Sequence, residues 1–220
     1  MIGQPRQYPE LPIKLGRNLA KIAPSRADSC TYYPAKVKLK DGTWLDKVYL
    51  AEASEWIVQW GIWPDEDRGK NEVLITDIIK IAVSPSRLPA QYARSLYEAG
   101  ESGMGYTIFT VMFQDGCDLP VITGNAVDFI DYPLGQGPAT VVGVRAHDGR
   151  DSQALSRGPE YAWCLFGGAP SSNSPDAYCT NPTPVRPEPV EGLLFPSGRC
   201  ARGPKNKDSA SILRQAQHSA

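Results

Sequence analysis

The residues best suited to chemistry in this chain are Asp115, Asp118, Asp128 and Asp131, followed by His147-Asp148. Carboxylates that converge can hold a divalent cation through hard oxygen ligands, and a nearby imidazole can move protons near neutral pH. The same residues also suit turns and solvent. Asp115-Gly116 and Asp148-Gly149 are turn dipeptides, and Asp118 and Asp131 fall where a surface carboxylate is expected. The turn-and-surface reading is the stronger, so no catalytic residue, metal ligand or cofactor is assigned. Gly135-Gln-Gly137 is too short to cradle a phosphate and leads into a strand pattern. Five cysteines contain no Cys-x-x-Cys pair, and with only His147 and His218 beside them they supply no zinc ligand set.

Aromatic side chains offer recognition instead of catalysis. Trp44, Trp56, Trp60 and Trp63 crowd one short stretch, and tryptophan is enriched at binding hot spots. Trp44 and Trp63 stand beside turns and are the expected partner-binding residues. Trp56 and Trp60 alternate with Val58 as one face of a strand would, and are expected in the core.

The elements that must position these residues are mainly β. Residues 37–57 read VKLKDGTWLDKVYLAEASEWI and residues 111–130 read VMFQDGCDLPVITGNAVDFI. With one gap, Val37, Asp41, Gly42, Leu45, Val48, Ala53 and Ile57 fall on Val111, Asp115, Gly116, Leu119, Val121, Ala126 and Ile130, and Glu55-Trp56 falls on Asp128-Phe129. Asp-Gly between alternating runs predicts a hairpin with a type I′ turn in each copy. A third strand is expected at Glu55–Trp60, and fourth strands at Val73–Val83 and Thr140–Ala146. Two related four-strand meander units result, by duplication or by convergence on one hairpin design. Between them Ser86–Gly100 predicts a short helix, with Pro89 in its first turn and Gly100 at its end. The units could form two SH3-like small barrels or one combined barrel or sandwich; two barrels joined by the helix are slightly favoured. The expected boundaries are an N-terminal arm at 1–30, units at 31–85 and 105–168, a linker helix at 86–104 and a disordered tail at 169–220.

The tail carries the one resemblance in the sequence. Residues 184–192, PVRPEPVEG, and 213–217, LRQAQ, resemble translated copies of a palindromic interspersed repeat of bacterial genomes. The genetic code supports this. Pro187–Gly192 can be written CCT GAG CCT GTC GAA GG. Its reverse complement, read one base along, is CTT CGA CAG GCT CAG, which encodes Leu213–Gln217. The resemblance implies that Cys200, His218 and the tail's basic residues belong to no site. It also implies a bacterial source and makes Tyr161–Phe166 the expected last native element.

Charge and hydropathy bound the function. Residues 1–30 carry five basic and two acidic groups, residues 31–150 eleven and sixteen, and residues 151–220 seven and six. An acidic β region is a poor general surface for phosphates, so nucleic acid is not the expected partner. No stretch approaches a membrane span and no leader is evident, which predicts a cytoplasmic protein. The leading expectation is a non-catalytic interaction or structural β module whose partner is another protein. The alternatives are a metal-assisted hydrolase using the second-unit carboxylates with His147, and a small barrel that binds nucleic acid through its basic arm.

Overall fold

The structure is a computed structural model that describes residues 7–27, 30–61, 71–152, 154–168 and 198–199. It is mainly β, with two sheets and three α-helices among the described residues. The first sheet contains β1 (Ser25–Ala27), β2 (Cys30–Leu39), β3 (Trp44–Glu52), β4 (Asn71–Glu72), β5 (Ile78–Ala82) and β10 (Ala162–Phe166). The second contains β6 (Thr107–Phe113), β7 (Cys117–Thr123), β8 (Val141–Ala146), β9 (Ser156–Arg157) and β11 (Gly198–Arg199). The helices are α1 (Ile13–Leu19), α2 (Ala53–Trp60) and α3 (Ala90–Ala99).

The two Asp-Gly hairpins share one pairing scheme. In the first, β2 lies between β3 and β5, with Val37 opposite Leu45 on one side and Ile81 on the other. In the second, β6 lies between β7 and β8, with Val111 opposite Leu119 and Val144. The register slips at matching points, between Lys38 and Leu39 and between Met112 and Phe113. A 3-10 turn precedes the third strand of each set, at Ile75–Asp77 and Pro138–Thr140. Each hairpin then accepts a parallel strand at the same place: Val48 opposite Ala162, and Val121 opposite Ser156.

The turns themselves differ from the type I′ geometry expected. Only Gly42 and Gly116 have positive φ, at 90° and 81°. Their N–H groups donate to Leu39 and Phe113 carbonyls, each at 3.0 Å, closing a type I turn that ends in a left-handed glycine. Asp41 and Asp115 keep ordinary φ because their Oδ1 atoms accept the N–H groups of Thr43 and Cys117, at 2.8 and 2.9 Å.

The strand expected at Glu55–Trp60 does not form. Ala53–Trp60 is α2, started by Glu52, whose carboxylate accepts the Glu55 N–H, and ended by left-handed Gly61. Trp56 and Trp60 therefore share a helical face at i, i+4, whereas Val58 turns away and is 72% exposed. In the second unit, residues 126–130 run as irregular chain whose Ile130 N–H donates to Ser86 and whose Asp128 carbonyl accepts from Leu88.

Three apolar clusters hold the molecule. The first lies under α1, where Leu15, Leu19 and Ile22 pack on Val37, Val48, Leu50 and Ile81; the N-terminal arm is thus part of the fold. The third lies under α3, where Ala93 and Leu96 cover Phe109, Val111 and Val121. Between them is an aromatic seam joining the first sheet to α2 and to the 126–130 segment. Tyr49 stacks on Trp163 at 4.9 Å and meets Phe129 at 4.7 Å, and Trp56 meets Trp163 at 3.9 Å. Trp163 belongs to β10, which runs parallel between β3 and β4 with all five residues buried. Residues 162–166, grouped by sequence with the second unit, therefore sit inside the first sheet. Among the described residues neither sheet closes into a barrel. Among the described residues no helix is long and apolar enough to cross a membrane.

Candidate functional site

The seam is fastened by one buried carboxylate. Asp128 has no exposed surface, and it accepts hydrogen bonds from Ser25 Oγ on β1 and from the Tyr97 hydroxyl on α3, the latter at 2.6 Å. Its N–H donates to the Tyr49 hydroxyl on β3 at 3.0 Å, and the Val127 N–H donates to Tyr97 at 3.3 Å. Arg87, also buried, reaches Ser25 Oγ at 3.5 Å. Burial raises the Asp128 carboxyl above the ordinary aspartate range, against the opposing pull of the Ser25 and Tyr97 hydroxyls and the Arg87 charge. The same burial lowers the Arg87 pKa and, with Asp128 nearby, raises the Tyr49 and Tyr97 hydroxyls. Asp128 is closed to any substrate. What it does is fix β1, β3, α3 and the 126–130 segment relative to one another.

That arrangement leaves a cavity of about 730 Å³ between β1 and α3. All three residues of β1 line one wall, and Arg94, Tyr97 and Glu98 at helical spacing line the other. Tyr32, Thr107, Asn125 and Val127 complete the floor, and Arg26, Arg94, Glu98 and Glu101 stand exposed around the rim. Asn125 carries a buried Oδ1 with no hydrogen-bond partner among the described residues. A buried carbonyl oxygen left without a donor costs free energy. Among the described residues β1 is the terminal strand of its sheet and pairs on one side only, with β2.

The carboxylates noted in the sequence do not converge. Asp115 caps its turn and accepts from Gln136 Nε2 at 2.6 Å. Asp118 and Asp148 both hold Arg145, each at 2.8 Å, and Asp131 pairs with Lys47 at 2.7 Å. Asp128 is sealed in the seam. Among the described residues no group of three or more such side chains could hold a metal ion. The metal-assisted reading therefore loses its ligand set.

His147 does meet a hydroxyl that sequence reasoning missed. Ser102 Oγ lies 2.8 Å from His147 Nδ1, and His147 Nε2 lies 3.1 Å from the Ala99 carbonyl. This pair resembles half of a nucleophilic triad, but its surroundings are spent on structure. The Ile108 N–H donates to Ser102 Oγ at 2.9 Å. The N–H groups of Ser102, Gly103, Gly105 and Tyr106 are all bonded within the loop, so none is left to stabilise an oxyanion. Ser102 and His147 staple the 99–108 turn.

Of the two tryptophans expected at a partner surface, Trp44 is 43% exposed at the start of β3. Trp63 lies outside the described residues, as do residues 184–192 and 213–217 of the tail. Trp44 is not among the described residues that line the β1–α3 cavity, which combines six separated stretches of chain. One signal could have led there: Asp128 is a lone carboxylate inside the apolar run 126–130, where a charge is buried only if it is partnered. Comparison of the chain with protein-family models, with curated proteins and with solved structures gave no match.

Proposed function

We propose that this protein is a non-catalytic interaction module and that the cavity between β1 and α3 receives an extended segment of another protein. The carrying observation is the combination, in one cavity, of a strand paired on one side only among the described residues and a facing helix. An extended peptide adds main-chain hydrogen bonds to a strand edge, while the opposite wall reads its side chains. Rim charges of both signs favour a segment that carries both signs itself. In this reading the tandem Asp-Gly hairpins are duplicated units, supported by their matched registers, and the tail is a translated repeat element appended to them. The buried free thiols of Cys30 and Cys164 support a reducing, cytoplasmic setting.

Selection from a displayed peptide library on the intact protein tests the proposal. Enriched peptides are expected to bind the Thr107→Trp variant, whose cavity is filled, at least tenfold more weakly than the parent. They should bind a Trp44→Ala variant unchanged. Failure to enrich any peptide, or equal binding to the filled cavity, would remove the proposal.

A further inference from the structure

A second surface lies on the other end of the first sheet, on the face that carries the aromatic seam. Cys30 and Tyr32 of β2 face the second sheet, together with Tyr49 and Ala51 of β3. Further along β2 the same alternation brings Lys36 and Lys38 onto that face, beyond the point where the second sheet ends. The boundary is marked by Ser86 Oγ donating to Asp46 and by the Lys47–Asp131 pair. Past it, Trp44, Lys38 and Lys80 stand in register across β3, β2 and β5. The Lys36 and Lys80 ammonium groups lie 5.2 and 5.9 Å from the centre of the Trp44 ring.

This concentration of charge opposes the composition of the region that carries it. Residues 31–150 are net acidic, yet half-buried Lys36 and Lys38 and exposed Lys80 share one patch, and none of them forms a described ion pair. A partly exposed indole among lysines at this end of the sheet offers two things together: a surface for stacking planar groups and cations for a chain of phosphates. An acidic peptide would use the lysines and leave the indole with no planar partner. A base stacked on Trp44 uses both.

We propose that this sheet face binds single-stranded nucleic acid, with one base stacked on Trp44 and flanking phosphates neutralised by Lys36, Lys38 and Lys80. The site is separate from the β1–α3 cavity and does not depend on it.

Fluorescence anisotropy of a labelled 15-nucleotide oligo-dT with the full chain provides the test. Three neutralised phosphates predict a slope of log affinity on log salt of roughly −2, or about a fifteenfold loss between 50 and 200 mM salt. Trp44→Ala should weaken binding about tenfold and Trp44→Phe should restore most of it. The triple variant Lys36→Gln, Lys38→Gln, Lys80→Gln should lose the salt dependence along with the affinity, with an unchanged circular dichroism melt. The cavity-filled Thr107→Trp variant should bind the oligonucleotide as the parent does. No binding at 50 mM salt, retention by the triple variant, or equal competition by polyglutamate of matched charge would each overturn the proposal.

Discussion

At the scale of single residues, Asp128 decides more than its chemistry suggests. A carboxylate in a fully buried position survives only because hydroxyls and a guanidinium meet it there. Asp128→Ala leaves Arg87 charged and buried without its counterion, and is expected to cost about 3 kcal/mol, read from urea midpoints at pH 7. The pH dependence has a definite sign. Because burial raises the folded-state pKa of Asp128, the folded chain holds a proton that the unfolded chain releases. The carboxyl's contribution to stability is fully present below the unfolded pKa of about 4 and is lost as pH rises through the folded value. The parent should therefore lose stability relative to Asp128→Asn as pH climbs from 4, and a difference that grows in the parent's favour would reverse this assignment. Lone polar residues in apolar runs were legible as unusual. Their partners were not, because Ser25, Tyr97 and Arg87 are brought to Asp128 by tertiary packing alone.

At the scale of elements, the hairpins and α3 were legible and α2 was not. Asp-Gly flanked by alternating apolar residues specifies a turn within a few positions, so β2–β3 and β6–β7 lie where the sequence put them. Trp56, Val58 and Trp60 satisfy a period of two, but Trp56 and Trp60 satisfy i, i+4 equally well. Glu52 and Gly61 at the two ends resolve it in favour of α2. The two geometries separate cleanly by mutation. In a strand, Val58 would share the buried face with the tryptophans. In α2, Val58→Ala should cost less than about 0.5 kcal/mol, while Trp56→Ala, emptying the space beside Trp163 and Trp60, should cost about 4 kcal/mol. Equal costs in chemical denaturation would contradict the helix.

For the whole molecule, the decisive feature is that strands distant in the chain share one sheet. β10 joins residues 162–166 to β3 and β4, so the first unit cannot complete its sheet from residues 31–85 alone. Sequence grouping by neighbourhood misses such a crossover, because a parallel pairing between segments over a hundred residues apart leaves no local mark. A chain ending at residue 168 is expected to unfold in one cooperative transition. A chain ending at residue 160 lacks Trp163 and the strand that carries it, and should show no cooperative transition by tryptophan fluorescence in urea. The cavity belongs to this scale too, since its walls come from β1, α3 and the loop before Asp128. Nothing in any one of those segments announces it.

The most direct test of the proposed role is amide chemical-shift mapping on the intact chain during titration with a selected peptide. The largest changes should fall on Ser25–Ala27, on Arg94–Glu101 and on Thr107 and Asn125–Val127, with slowed exchange at the β1 amides. Shifts confined to residues outside those segments would contradict the assignment of the β1–α3 cavity as the binding site.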